Sequence, residues 1–328
     1  MTKIFVSRHI PSPGIELLQS MANVEVDVFT EDRIIPRDEL LRRVVDADVL
    51  VSILTDKIDA ELFDTAGPQL KMVANYAVGF DNIDLAEAKK RGIIVTNAPT
   101  LEVNESVAEH AIALIFALAH RIVETDRYTR EGKYHGWGPE LLLGTDIAGK
   151  TLGIIGGGAI GSGLARRMED GFGVRIIYND IKPNPKFEEE YSAEYRSKES
   201  LLQEADIVSL HVPMLPSTHH LIDAAALALM KPTAFLINTA RGPIVDEAAL
   251  VDALEKGIIA GAGLDVFEGE PNIAADPAIA ERLRKLPNVV LTPHTASATS
   301  ATRSAMSKQV VKNIEEFLAG EAPENAVK

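Results

Sequence analysis

Three short segments in the second half of the chain end in polar residues that can work together. Leu236-Ile237-Asn238-Thr239-Ala240-Arg241-Gly242 runs from an apolar stretch into a guanidinium fork suited to gripping a carboxylate with two prongs. Gly263-Leu264-Asp265-Val266-Phe267-Glu268-Gly269-Glu270-Pro271 carries three carboxylates past an apolar run, and Val290-Leu291-Thr292-Pro293-His294-Thr295 sets a histidine behind a rigid proline. Taken singly, each has an ordinary reading: a structural salt-bridge arginine, a solvated acidic loop, a capping or core histidine. Taken together, they supply what hydride reduction of a 2-oxo acid needs. The carbonyl oxygen gains negative charge as hydride arrives, so it needs a cation and a proton donor beside it. Histidine can give the proton, a neighbouring carboxylate favours its imidazolium form, and arginine can hold the substrate carboxylate and polarise the carbonyl.

Hydride must come from a cofactor, and the middle of the chain offers a place for one. Gly156-x-Gly158-x-x-Gly161 follows the apolar run Leu152 to Ile155 and precedes Leu164-Ala165-Arg166-Arg167-Met168: strand, glycine turn, helix. The first glycine permits a tight turn, the second lets backbone approach a pyrophosphate beside Ala159 and Ile160, and the third lets helix and strand pack closely. A second apolar run, Val174 to Tyr178, ends in Asn179-Asp180, at the spacing where an acid accepts hydrogen bonds from an adenosine ribose. A ligand-free turn is the competing reading, and the agreement of both strands, the helix and the acid weighs against it. Asp180 would bond the ribose hydroxyls of NAD and repel the 2′-phosphate of NADP, so NAD(H) is expected over NADP(H), although Lys182 is close by.

These residues need a scaffold, and the pattern of the chain describes one. Before the glycine turn, Ile4 to Ser7, Val24 to Phe29, Val49 to Ile53, Met72 to Ala77 and Ile93 to Thr96 read as strands alternating with helical stretches. That is a complete parallel α/β unit with no glycine fingerprint of its own. After the turn the alternation resumes through Ile207 to Val212, Ala234 to Asn238, Gly261 to Asp265 and Val289 to Thr292. Between the units, Leu101 to Arg130 reads as one long helix, apolar on almost every side, and Ala301 to Leu318 as a final helix that packs back on the first unit. The expected organisation is therefore a substrate domain of residues 1–99 plus 297–328, with a cofactor domain of residues 100–296 inserted in it and the active site in the cleft between.

Composition narrows the alternatives. At 328 residues, with 46% hydrophobic and 25% charged residues, the chain suits about two soluble α/β domains. A net charge of −15 repels phosphate backbones, so nucleic-acid binding is not expected. Having no cysteine excludes disulfides, thiol nucleophiles and thiolate metal sites, and suits a cytoplasmic location. The apolar stretch Val107 to Ala119 contains Glu109 and His110 and falls short of the roughly 18 residues that span a bilayer, so no membrane partner is expected. His219-His220 carries no accompanying metal-site pattern, and no metal is expected.

At this point the sequence resembles the D-isomer-specific 2-hydroxyacid dehydrogenases over nearly its whole length. The resemblance rests on Ala74-Asn75-Tyr76-Ala77-Val78-Gly79-Phe80-Asp81-Asn82-Ile83-Asp84, the glycine fingerprint, His211-Val212-Pro213 with Thr218, Asn238 to Gly242, Asp265 to Pro271, and Pro293-His294. Among its branches the first unit is most similar to glyoxylate/hydroxypyruvate reductases. The resemblance implies an α/β fold of two parallel-sheet domains, a flavodoxin-like substrate domain and a Rossmann NAD-binding domain. It implies that His294 is the general acid, Glu270 its carboxylate partner, and Arg241 the substrate clamp. Glu270 is favoured over Glu268 because it directly precedes Pro271. Asp265 would accept from the nicotinamide carboxamide, and Val107 would pack on the nicotinamide ring. His211, Val212, Pro213, Thr218, Thr239 and Ala240 would complete the cofactor site. Leu54, Val78 and Gly79 would meet the substrate, and Trp137 would reach into a partner subunit's pocket in a homodimer. Three positions depart from the family pattern, Ala159 where arginine is frequent, and Thr295 and Ala296 where an aliphatic residue and glycine are. The implied reaction is reduction of a small 2-oxo acid, glyoxylate or hydroxypyruvate, to the D-2-hydroxy acid. D-lactate, aromatic D-2-hydroxyacid and D-3-phosphoglycerate dehydrogenases, and an NAD-sensing corepressor-like binding protein, are the alternatives.

Overall fold

The computed structural model describes residues 1–271 and 277–327. It divides into two compact units, one of Met1–Val103 with Ala298–Lys328 and the other of Asn104–Ser297.

In the first unit β1 (Thr2–Val6), β2 (Val24–Val28), β3 (Val49–Ser52), β4 (Met72–Asn75) and β5 (Ile94–Thr96) form a parallel sheet in the order β2-β1-β3-β4-β5, the flavodoxin-like order. The central strands β3 and β4 are buried at every residue, which is why each reads as an apolar run, Val49-Leu50-Val51 and Met72-Val73-Ala74, before a buried polar residue, Ser52 and Asn75. Edge strand β2, Val-Glu-Val-Asp-Val, alternates half-buried and exposed positions because only one of its faces meets the core. The final helix, Ser300–Leu318, is tied to this unit by Ser307 Oγ donating to the Pro11 carbonyl at 2.7 Å and Tyr76 Oη donating to the Arg303 carbonyl at 2.9 Å.

In the second unit β6 (Thr151–Ile155), β7 (Arg175–Asn179), β8 (Glu194–Tyr195), β9 (Ile207–Leu210), β10 (Phe235–Asn238), β11 (Gly261–Leu264) and β12 (Val289–Leu291) pair in parallel in the order β12-β11-β10-β9-β6-β7-β8. The strand order reverses between β6 and β9, the point where open parallel sheets bind ligands beyond their carboxyl ends. Adjacent residues of a strand point to opposite faces, and each face has its own core. Ile155, Ile177 and Leu236 join one cluster, and their neighbours Ile154, Ile176 and Ile237 join the other.

Two elements differ from the expectation from sequence. The stretch expected as one helix is two, Leu101–Ala119 and Ile122–Arg130, bent by 58°. Arg121 breaks it by taking a left-handed backbone, φ 54°, and the freed Ala119 carbonyl accepts from the Thr145 N–H at 2.8 Å. Only the first helix is buried as expected; the second has no buried residue. The two-residue strand β8 was too short to show an alternating pattern. No single helix among the described residues is long and apolar enough to cross a membrane.

Candidate active site

The glycine turn leaves the end of β6 at the reversal point. Gly156 has φ 101°, and a β-carbon on it would stand 2.6 Å from the His211 carbonyl oxygen, so both backbone angle and space require glycine. Gly158 caps the helix Ala159–Phe172 and is exposed, with no atom within 4 Å of where its β-carbon would be. The free N–H groups of that first turn, which includes Ala159, Ile160 and Gly161, face an open cradle suited to a pyrophosphate. Asp180, just past β7, accepts from the Gly157 N–H at 2.9 Å and from the Ile181 N–H at 2.7 Å. Its carboxylate is thereby fixed at the lip of the turn.

Other expected cofactor residues line neighbouring strand ends. His211 follows β9, with its Nε2 2.8 Å from Ser209 Oγ; burial pushes its pKa down to about 4, so the ring is neutral at physiological pH. Val212 packs on the core, and Thr218 donates to the Pro213 carbonyl at 2.7 Å, closing the exposed turn between them. Thr239 and Ala240 follow β10. The Thr239 Oγ1 is buried and lacks a hydrogen-bond partner among the described residues, an orphan that a bound polar group would satisfy. Val107 is buried on the helix Leu101–Ala119. The cradle, the fixed acid and the orphaned hydroxyl fit a dinucleotide.

The three candidate catalytic side chains, Arg241, Glu270 and His294, lie in the loops that follow β10, β11 and β12. His294 Nδ1 and Glu270 Oε2 are 2.7 Å apart, and both side chains keep about a quarter of their surface exposed, 26% and 23%. Glu270 Oε1 accepts from the Phe267 N–H at 3.0 Å, which fixes the carboxylate. An ionised carboxylate can only accept, so Nδ1 carries a hydrogen and Nε2 is the nitrogen left to exchange a proton. His294 itself has a left-handed backbone, φ 55°. Its N–H donates to the Asp265 carbonyl at 2.8 Å and the Thr292 carbonyl at 3.1 Å.

Arg241 sits in a loop shaped by the buried Asn238, whose Nδ2 donates to the Arg241 carbonyl at 2.8 Å and whose Oδ1 accepts from the Ala240 N–H at 3.0 Å. The guanidinium donates through Nη1 to the Ala240 carbonyl at 2.8 Å. Gly242 lies flat on the peptide between Phe267 and Glu268, where a β-carbon would overlap the Phe267 carbonyl. The arginine loop and the Glu270 loop are thus packed backbone to backbone.

Asp265 is fully buried, and its oxygens serve its own chain. Oδ1 accepts from Thr292 Oγ1 at 2.6 Å and the Thr295 N–H at 2.8 Å; Oδ2 accepts from the Ala296 N–H at 2.8 Å. Burial opposes its charge, but hydrogen bonds from His110, Thr292, Thr295 and Ala296 outweigh it and hold the carboxyl below its usual range. Beyond the carboxamide contact expected from sequence, Asp265 pins the loop bearing His294.

The neighbouring carboxylate has a histidine of its own. Glu268 Oε1 is 2.6 Å from His220 Nε2, and Glu268 Oε2 accepts from the Glu247 N–H at 3.1 Å. Glu268 and Glu270 therefore each pair with a different histidine, a division that their spacing alone could not assign. His219 stacks on His220 with ring centroids 4.0 Å apart. One potential ligand atom from each of His219, His220 and Glu268 lies within 4.8 Å of the others, and the His220–Glu268 hydrogen bond satisfies that pair without an ion.

In the first unit Leu54, Val78 and Gly79 are half-buried in loops after β3 and β4. Asn75 holds these loops together: it accepts from Ser52 Oγ at 2.9 Å and donates to the Gly79 carbonyl at 3.0 Å. Asn82 Nδ2 donates to the Ile53 and Asp56 carbonyls, each at 3.1 Å. Trp137, in the second unit, is 84% exposed.

Residues 112–296 match the family model described as the NAD binding domain of D-isomer specific 2-hydroxyacid dehydrogenases. A glyoxylate reductase of Korarchaeum cryptofilum is 49% identical over 326 residues, covering 99% of this chain and 95% of that protein. The crystal structure of an NADPH-dependent glyoxylate/hydroxypyruvate reductase from Sinorhizobium meliloti, with NADP and malonate, superposes with a TM-score of 0.84 at 35% identity, covering 99% of this chain and 96% of that one. The structure of D-lactate dehydrogenase from Aquifex aeolicus, complexed with NAD and lactic acid, gives a TM-score of 0.86 at 31% identity over 99% of both chains. With its flavodoxin-like sheet, its Rossmann sheet and this similarity along its whole length, the chain belongs to the D-isomer-specific 2-hydroxyacid dehydrogenases, enzymes that work with a nicotinamide cofactor.

Proposed function

We propose that this enzyme reduces glyoxylate or hydroxypyruvate to the D-2-hydroxy acid, with His294 and Glu270 as the acid/base pair and Arg241 as the substrate clamp. The observation that carries the reading is the His294 Nδ1 to Glu270 Oε2 distance of 2.7 Å, which leaves Nε2 as the proton-exchanging atom. When bound, NADH supplies the hydride that the carbonyl carbon accepts. His294 Nε2 gives its proton to the carbonyl oxygen as negative charge builds there, and Glu270 stabilises the imidazolium before transfer. Arg241 holds the substrate carboxylate and polarises the carbonyl, with Leu54 and the N–H groups of Val78 and Gly79 completing substrate binding. The fixed geometry of these groups lowers the entropic cost of reaching the transition state.

NADH is the proposed reductant over NADPH. The fixed carboxylate of Asp180 supports this, because it would lie beside a 2′-phosphate and repel it. Gly156, Gly158, Ala159, Ile160 and Gly161 hold the pyrophosphate; Val107, His211, Val212, Pro213, Thr218, Thr239, Ala240 and Asp265 complete the site. The working form is a homodimer in which Trp137 reaches the partner's substrate pocket; the exposure of Trp137, Tyr134 and Leu143 supports that reading.

The test is NADH and NADPH oxidation by purified protein against glyoxylate, hydroxypyruvate, pyruvate, phenylpyruvate and 3-phosphohydroxypyruvate, with product chirality determined. Preferred turnover of glyoxylate or hydroxypyruvate with NADH, giving D-glycerate from the latter, supports the proposal. Preference for another acid or for NADPH would overturn the corresponding part of it.

A further inference from the structure

The loop that carries His294 is held at more points than its own residues explain. Asp265 fixes it from below through the N–H groups of Thr295 and Ala296, and Thr292 Oγ1 joins the same carboxylate at 2.6 Å. The Thr292 hydroxyl has a second neighbour, His110 Nε2, at 2.9 Å. Threonine has one hydroxyl hydrogen, and an ionised Asp265 can only accept, so that hydrogen points to Asp265. The Thr292 oxygen must then accept from His110, which settles the tautomer: His110 carries its hydrogen on Nε2. His110 Nε2 is also 3.4 Å from Asp265 Oδ1. One helical turn earlier, Ser106 Oγ donates to the Ala296 carbonyl at 2.7 Å. Two polar residues on one face of the helix Leu101–Ala119 thus grip the two ends of the segment that frames His294.

We infer that His110 is a positioning residue for His294, acting through Thr292 and Asp265. By donating to Thr292 it leaves that hydroxyl one orientation, and the oriented hydroxyl completes the set of donors that locks Asp265 beneath the loop. Removing the His110 donor frees the Thr292 hydrogen to rotate and leaves an acceptor unpaired in a half-buried place. The Asp265 carboxylate then loses part of its hold, and the left-handed His294 backbone loses its fixed seat. This inference rests on the proposed role of His294 as the acid.

The experiment compares His110→Phe, His110→Gln and Thr292→Val with wild type. Phenylalanine fills the space without a donor, glutamine keeps an N–H near the same place, and valine cuts the link while leaving His110 intact. With NADH and glyoxylate, His110→Phe and Thr292→Val should each lower kcat by about tenfold to a hundredfold, the range expected when a reacting group is displaced and not removed. KM for NADH should stay within about threefold of wild type, and His110→Gln should recover most of the rate. The double variant should lose little more than the worse single one, because both cut the same chain. In parallel, the ring signals of isotope-labelled His294 are titrated by NMR in the cofactor-free protein, and the midpoint should move in His110→Phe and Thr292→Val alike. Unchanged kcat with an unchanged His294 titration, a lowered melting temperature alone, or additive losses in the double variant would overturn the inference. If wild type turns over no 2-oxo acid, the functional reading fails by itself, and the NMR titration still decides whether His110 positions His294.

Discussion

Oε2 of Glu270 accepts from Nδ1 of His294 at 2.7 Å, while Oε1 of the same carboxylate accepts from the Phe267 N–H at 3.0 Å. The acid that orients the histidine is thus itself oriented by backbone. An imidazole held this way has one tautomer and one free nitrogen, which is what a proton donor to a carbonyl requires.

Replacing either partner should separate chemistry from binding. His294→Ala is expected to lower kcat by about 10²- to 10⁴-fold, the usual worth of a positioned acid/base group. Glu270→Gln keeps the size and loses the charge, so its loss should be smaller and should fall on kcat. Fluorescence titration with NADH should give near wild-type affinity for both.

Arg241 is proposed to act as a fork and not only as a charge. Arg241→Lys should therefore recover only a minor part of what Arg241→Ala loses, since an ammonium cannot grip a carboxylate with two parallel hydrogen bonds. Steady-state kinetics should show KM for glyoxylate rising and kcat falling together in both variants. Wild-type kinetics in Arg241→Lys would remove the two-pronged role.

Asp180→Ala removes the charge at the lip of the glycine turn. The ratio of kcat/KM for NADPH to that for NADH should rise by at least about tenfold, because juxtaposed like charges cost several kcal/mol. Part of the change will come from poorer NADH use, as the Gly157 N–H also loses its acceptor. An unchanged ratio would take Asp180 out of cofactor choice.

His211 makes stability depend on pH. Its folded pKa, about 4, lies below the usual 6.5 because burial disfavours the charged ring. Between those values the unfolded chain binds the extra proton. The contribution is therefore fully present above pH 6.5 and is lost as pH falls toward 4, by up to about 3 kcal/mol. Urea unfolding of the cofactor-free protein at several pH values should show a shallower acid decline in His211→Asn than in wild type.

Much of the fold could be read from the chain because parallel α/β units write themselves in period: Val49 to Ile53 and Met72 to Ala77 read as strands, and the glycines after Leu152 to Ile155 read as a strand, turn and helix. The break at Arg121 was hidden because arginine is an ordinary helix residue, and only the Thr145 N–H arriving from elsewhere explains where the helix stops. The candidate site was legible as residue types at strand ends. Apart from the Glu270–His294 pair, the partners that hold those side chains in place were not. Nothing local links His110 to Asp265, which are far apart in sequence and joined through Thr292. The Ser106 and His110 spacing of four residues on an apolar helix was the one available signal, since two polar groups on one such face need partners.

The left-handed backbone at His294 has a practical meaning. The shape of that loop is imposed from outside, by Asp265 and by the helix bearing Ser106, and glycine adopts such an angle more easily than histidine does. A His294→Gly enzyme should therefore keep its loop and hold an empty slot shaped like the lost ring. Soluble imidazole added to that enzyme should restore part of the reduction rate in a saturable way, so the scaffold, separated from its acid, becomes a receptor for a diffusible one.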